Sequence, residues 1–357
     1  MTAKTNRPVR GTRALLLCGG GLTGALYEVG ALRALEETFG EGSCDFDLFV
    51  GTSAGATVSA FLAQGITPRR MYDAICTEDD PFFPIRRPDV YQAEPGEWLS
   101  SLAAFQRFLV RQVRGKLASI GRAPGPDVFE LAAPLPSGVF SNMPLKRFLA
   151  RTLDRAGLSD DFRALTRPLY ITAYDADLGE RIVFGAPGWR DVPISLAVAA
   201  SSAIPILFKP VQIRGRDFVD GGVGKVAHMD IAEGAGARRL LIINPIRPIR
   251  NDQERVCMAD GDGHCVRMRE KGLMHVWNQT FRMMTHHRLE RAVRAHRAEN
   301  PGRRYLLLEP SQDDVIMFMY NPMSFANRQR VLEDSYRTTL HLLARRRREF
   351  APFMTTG

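Results

Sequence analysis

The chain has 357 residues, 45% hydrophobic and 24% charged, the composition of a globular soluble protein of one large or two ordinary domains. Its net charge is +9, and the whole excess lies late: residues 1–237 hold 26 basic and 26 acidic side chains, residues 238–357 hold 22 and 13. No uninterrupted apolar run approaches the ~20 residues that span a bilayer, and five scattered cysteines argue against a disulfide framework and fit a reducing compartment.

In chain order, Lys4, Arg7, Arg10 and Arg13 precede an apolar ALLLC run that mimics a signal peptide. The run stops at Gly19–Gly21 without a convincing cleavage site. It reads as a first strand over 13–18, with 1–12 as a disordered basic arm and a cytoplasmic location. Gly19–Gly24 make a glycine-rich turn, and 25–38 repeat apolar residues at helical spacing. A second strand over 45–50 runs into Gly51-Thr52-Ser53-Ala54-Gly55, followed by a helix over 54–64. This alternation predicts a three-layer α/β/α fold with a mostly parallel central sheet.

Residues 78–96 are proline-rich and irregular. Over 98–122, Trp98, Leu102, Phe105, Leu109, Val113, Leu117 and Ile120 recur every three or four residues between arginines and a lysine. That pattern suits a helix burying one face in the core or an interfacial helix on a membrane. A loop over 123–139 and a helix over 144–157 follow, then strands at 169–175 and 181–184. A buried helix at 193–203 leads to an extended run over 204–219 with a hairpin at Arg214-Gly215-Arg216, and to a strand at 239–244. Helices over 267–299 and 325–349 flank a short strand at 305–309, which joins the main sheet. The division expected is a catalytic domain over 13–250 and a mainly helical extension over 251–357 packed on it.

The strand–turn–helix around Ser53 puts a hydroxyl on a sharp turn at a helix N-terminus. Gly19, Gly21 and Gly24 also match a dinucleotide fingerprint, but the second strand ends in Gly51-Thr52-Ser53 rather than in the acid that binds ribose. The other reading of the glycines is a row of backbone N–H groups that can hold an oxyanion. In an ordinary α/β-hydrolase a third strand would precede the elbow; here only two do. Among seven histidines none has a distinctive context, although His228 stands close to Asp220. Asp220-Gly221-Gly222 places a carboxylate on a glycine turn after a strand.

Gly-Gly-Gly-x-x-Gly, then Gly-x-Ser-x-Gly, then Asp-Gly-Gly together resemble the patatin-like phospholipase family. The resemblance extends through Ala200–Pro205 and Phe208–Val211 and covers about 13–245. It implies Ser53 as nucleophile, Asp220 as its base in a dyad without histidine, and the amides of Gly19, Gly20 and Gly21 as oxyanion hole, with no metal or organic cofactor. The implied activity is hydrolysis of a phospholipid or other acyl-ester lipid, of phospholipase A or lysophospholipase type. An acyltransferase, a thioesterase or a non-catalytic lipid-binding protein would use the same site. One segment departs from the pattern: Val223–His228 stands where family members carry Asn-x-Pro. The basic last third and 98–122 suggest peripheral contact with an anionic membrane at its inner face. No nucleic-acid motif is present, and a homo-oligomer stays open.

Overall fold

The computed structural model describes residues 12–77, 80, 92–93, 106, 110, 136–252, 254, 257–260, 262–312, 314 and 327–355. The basic arm over 1–12 apart from Thr12, the proline-rich stretch over 78–96 apart from Asp80 and Gln92–Ala93, and nearly all of the 98–122 helix lie outside them. The first elements are β1 (Arg13–Leu17), α1 (Gly21–Phe39), β2 (Leu48–Gly51), α2 (Ala54–Leu62) and α3 (Pro68–Cys76). Next come β3 (Gln92–Ala93), β4 (Gly138–Ser141), α4 (Met143–Arg155), β5 (Leu169–Asp175), β6 (Arg181–Phe184) and α5 (Ile194–Ser201). They lead to β7 (Ile206–Phe208), β8 (Val211–Ile213), β9 (Arg216–Asp220), α6 (Met229–Gly234) and β10 (Arg239–Ile243). The last third adds β11 (Met258–Ala259), β12 (Cys265–Val266), α7 (Leu273–Glu299), β13 (Arg304–Leu308) and α8 (Arg328–Met354).

The main sheet runs β13-β10-β1-β2-β5-β9-β8, with β6 also on β5. Its first five strands are parallel; β6, β8 and β9 pair antiparallel. β1 is buried along its whole length, as a strand at the centre of a parallel sheet covered on both faces must be. Side chains alternate between the two faces. Leu15, Leu17 and Phe49 pack with α1, α2, α3, α4, α5 and α8. Ala14, Leu16, Leu48 and Val50 pack with α6 and α7. The result is the three-layer fold that the alternation predicts, and the 305–309 strand takes its place as edge strand β13 beside β10.

Three expectations need correction. The helix expected from 25 starts at Gly21, inside the glycine run, where Gly24 N–H already bonds Gly20 O at 3.1 Å. The single helix expected over 267–299 is broken at Gly272, whose φ of 85° lies in the left-handed region. A one-turn helix at Met268–Lys271 precedes that break, and α7 follows it. Finally, Cys257 and Cys265 are disulfide-bonded across the β11–β12 hairpin, their Cα atoms 5.5 Å apart. An odd, scattered count conceals a pair that a tight hairpin brings within reach of each other. Among the described residues no helix is long and apolar enough to cross a membrane.

Candidate active site

Two strand ends build the site. β2 ends with Gly51 opposite Ile171 of β5, and β9 ends with Asp220 opposite Ala173, two positions further on. Between them, Thr52 and Thr172 hydroxyls meet at 3.1 Å, and Thr52 N–H bonds Leu17 O at 3.0 Å. The residues that follow β2 and β9 are thus held side by side.

Ser53 follows Thr52 with φ 54° and ψ −126° and caps α2. A serine in that region is strained by roughly 1–3 kcal/mol, which the surrounding bonds must offset. One is the Ser53 N–H, which donates to Ser201 Oγ at 2.8 Å. Another is Ser53 O, which accepts from Ala56 N–H at 2.9 Å. The residue is buried, and its hydroxyl is near enough to Asp220 to affect that carboxyl's proton affinity.

Asp220 is buried as well. Its Oδ1 accepts the Gly222 N–H at 2.7 Å, while Oδ2 makes no hydrogen bond of standard geometry. Burial pushes the carboxyl up to about 6 from 3.8, opposed by the neighbouring Ser53 hydroxyl and the Gly222 amide. The Ser53 hydroxyl lies beside the carboxyl and favours its charged form. Proton transfer needs such a free acceptor beside a hydroxyl.

The glycine loop lies against the serine. A Cβ on Gly19 would stand 2.7 Å from Ser53 Cβ and 3.2 Å from its Oγ, so only glycine fits there. Gly20 caps α1, which starts at Gly21. The first amides of a helix have no acceptor within it, and the helix dipole makes this end favour negative charge. The two helix N-termini, of α1 and α2, thus converge on Ser53.

The loop after Asp220 is braced from two sides. His228 is buried at φ 46°, its Nε2 3.1 Å from Gly221 O and its Nδ1 3.2 Å from an Arg181 nitrogen. Both contacts are satisfied by the neutral Nε2–H tautomer. Burial and the Arg181 charge lower its pKa to about 3, which keeps it neutral. Arg181 is anchored in turn by Asp230 at 2.9 and 2.6 Å. From the other side Arg288 of α7 donates to Val223 O and Gly224 O, both at 2.7 Å. This bracing occupies the departing segment Val223–His228.

The structure therefore places Ser53, Asp220 and Gly19–Gly21 in one cluster. Sequence reasoning assigned nothing to Ser201, Thr172, Arg181 or Arg288. Ser201 lies inside a motif stretch and was findable; the others pair across 47 to 120 positions with no local signal. Among the described residues, Asp260, Asp262 and His264 could share a metal ion, but all three are exposed, and exposed acidic groups often carry none.

A family model described as patatin-like phospholipase matches residues 15–231. Among solved structures, VipD from Legionella pneumophila is 14% identical, with 95% of this chain and 68% of that chain covered at a TM-score of 0.39. ExoU in complex with SpcU, from the type III secretion system of Pseudomonas aeruginosa, is 15% identical, with 94% and 53% covered at 0.37. The chain thus spans about two thirds of the first and about half of the second.

Proposed function

The chain belongs to the patatin-like phospholipase family and is a lipid-hydrolysing enzyme, and we propose that it is a serine acyl hydrolase of phospholipase A or lysophospholipase type working through a Ser53–Asp220 dyad. The observation that carries this reading is the Asp220 carboxyl, buried, raised to about 6, with Oδ2 unpartnered beside the serine. A carboxylate at its ordinary value is a weak base; one held near the working pH can take a hydroxyl proton.

In the first step Asp220 accepts the Ser53 proton as Oγ bonds the ester carbonyl carbon. The amides of Gly19, Gly20 and Gly21 hold the resulting oxyanion. The carbonyl carbon–oxygen bond to the alcohol then breaks, and the leaving lysolipid takes the proton from Asp220. A water molecule next gives its proton to Asp220 and its oxygen to the acyl carbon. Ser53 leaves with the proton returned to it, and the fatty acid is released.

An apolar slot supports an acyl substrate. Leu22, Ala25, Leu26 and Val29 of α1 and Val58 and Phe61 of α2 line a cavity of about 60 Å³, which α3 closes with Met71 and Ile75. That is room for about four to six water-sized groups, a stretch of alkyl chain. The two lining helices are the ones whose N-termini meet at Ser53, so the slot begins within a turn or two of the reacting oxygen.

The test is turnover of a short-chain nitrophenyl ester by Ser53→Ala and Asp220→Asn. Each variant should lose roughly 10³-fold or more in kcat. Near-wild-type turnover from either would sink the dyad.

A further inference from the structure

Nine large apolar side chains are exposed among the described residues, and five of them sit in the first twelve residues of α7: Leu273, Met274, Val276, Met283 and Met284. Leu273 is 82% exposed. Scattered apolar side chains are ordinary on a protein surface; a contiguous group marks a contact surface. These form a band. Leu273, Val276, Trp277, Thr280 and Met284 stand at i, i+3, i+4, i+7 and i+11, which is one helix face. The rings of Trp277 and Phe281 stack at 5.6 Å beside it, half-buried.

The cations nearest the band stand in the turn before it, where Arg267, Arg269 and Lys271 face one acidic side chain, Glu270; Arg282 is buried within α7, and Asp260 and Asp262 lie further back on the β11–β12 turn. Arg267 and Arg269, in the turn just before the helix, are exposed. An apolar helix face flanked by cations suits a lipid surface bearing negative charge. The apolar residues enter the headgroup boundary while the cations meet the anions. The same helix reaches the site. Arg288, 15 residues and ~22 Å beyond Leu273, holds Val223 O and Gly224 O behind Asp220.

We propose that the first three turns of α7, with the basic turn before them, dock this enzyme on a bilayer surface containing anionic lipid. The role expected for 98–122 thereby gains a described counterpart in the last third of the chain, where the basic excess lies.

Flotation of the full chain with vesicles tests this. Vesicles of phosphatidylcholine mixed with phosphatidylserine should carry the wild type upward, and vesicles of phosphatidylcholine alone should carry far less. Leu273→Ser with Met274→Ser should weaken binding to the mixed vesicles by roughly tenfold. Arg267→Ala with Arg269→Ala should weaken it by roughly fivefold for each charge removed, at low salt. All four side chains are exposed, so the fold and short-chain ester turnover should stay at wild-type level. Ser53→Ala should float like the wild type, which separates docking from the dyad. The proposal is overturned if the wild type does not float, or if the double variants float as it does. It is equally overturned if the wild type is a dimer that Leu273→Ser with Met274→Ser turns into a monomer without change in flotation; the band would then join two copies of the chain.

Discussion

Asp220 is where folding and chemistry pull against each other. The fold buries a carboxyl and leaves one oxygen without a partner, which raises it from 3.8 to about 6. As a base it must be ionised, so kcat/KM for a neutral ester should climb with pH through about 6 and level off above. A flat profile between pH 4 and 8 would remove Asp220 from the role. Stability runs the other way. A carboxyl raised in the folded state binds protons more tightly there than when unfolded. Its contribution is therefore fully present below about 3.8 and is lost as pH rises through about 6. Two units correspond to about 3 kcal/mol at most. Asp220→Asn should therefore be more stable than wild type by about 1–3 kcal/mol at pH 8, with the difference gone below pH 4, as urea unfolding can measure. Gly19 is the second residue under this tension. Gly19→Ala would push a methyl to within 2.7 Å of Ser53 Cβ and displace the serine. Turnover should fall by roughly 10²-fold with the circular dichroism spectrum unchanged.

At the scale of elements, the loop from Gly221 to His228 has no family pattern to hold its shape, and the chain uses long-range contacts instead. Arg288 reaches it from α7, and His228 returns to Gly221 from within. Arg288→Met should leave the two carbonyls of Val223 and Gly224 without their charged donor, a loss of roughly 1.5–3 kcal/mol in the order of that loop. Since the loop follows directly on Asp220 and does not line the apolar slot, kcat should fall severalfold while KM holds; a KM effect alone would show that Arg288 touches substrate. This is also where the sequence is least legible. The strands β1 and β5 and the helix behind Ser53 announce themselves through apolar runs and spacing, and the three glycine motifs mark the site loops. Arg288 stands 64 positions from Gly224, and nothing in its own neighbourhood distinguishes it from the other arginines of a basic helix. Likewise Cys257 and Cys265 look unpaired until the hairpin between them is known. Local pattern betrays local structure; partners chosen by the tertiary fold leave no such trace.

Over the whole molecule, the two ends of the chain depend on each other. Arg13, in the central strand, is buried and donates to Ser43 O at 3.0 Å, Asp45 O at 2.5 Å and Phe353 O at 3.4 Å. α8 lies on α1, and Leu332, Leu343 and Phe350 enter the largest core cluster among the described residues. The last helix therefore closes the layer that carries the apolar slot and is no mere appendage. Phe350→Ala should cost about 3–5 kcal/mol in urea unfolding, with ester turnover per folded molecule near the wild-type value. A loss under 1 kcal/mol would mean that α8 is loosely attached.

The central claim, that Asp220 activates Ser53, is tested most directly by mapping the adduct of a fluorophosphonate probe by mass spectrometry in wild type and Asp220→Asn. The wild type should carry the adduct on Ser53 alone, at a rate that rises with pH through about 6. Asp220→Asn should react at Ser53 at least ~10²-fold more slowly. An adduct on another residue, or equal rates in the two proteins, would contradict it.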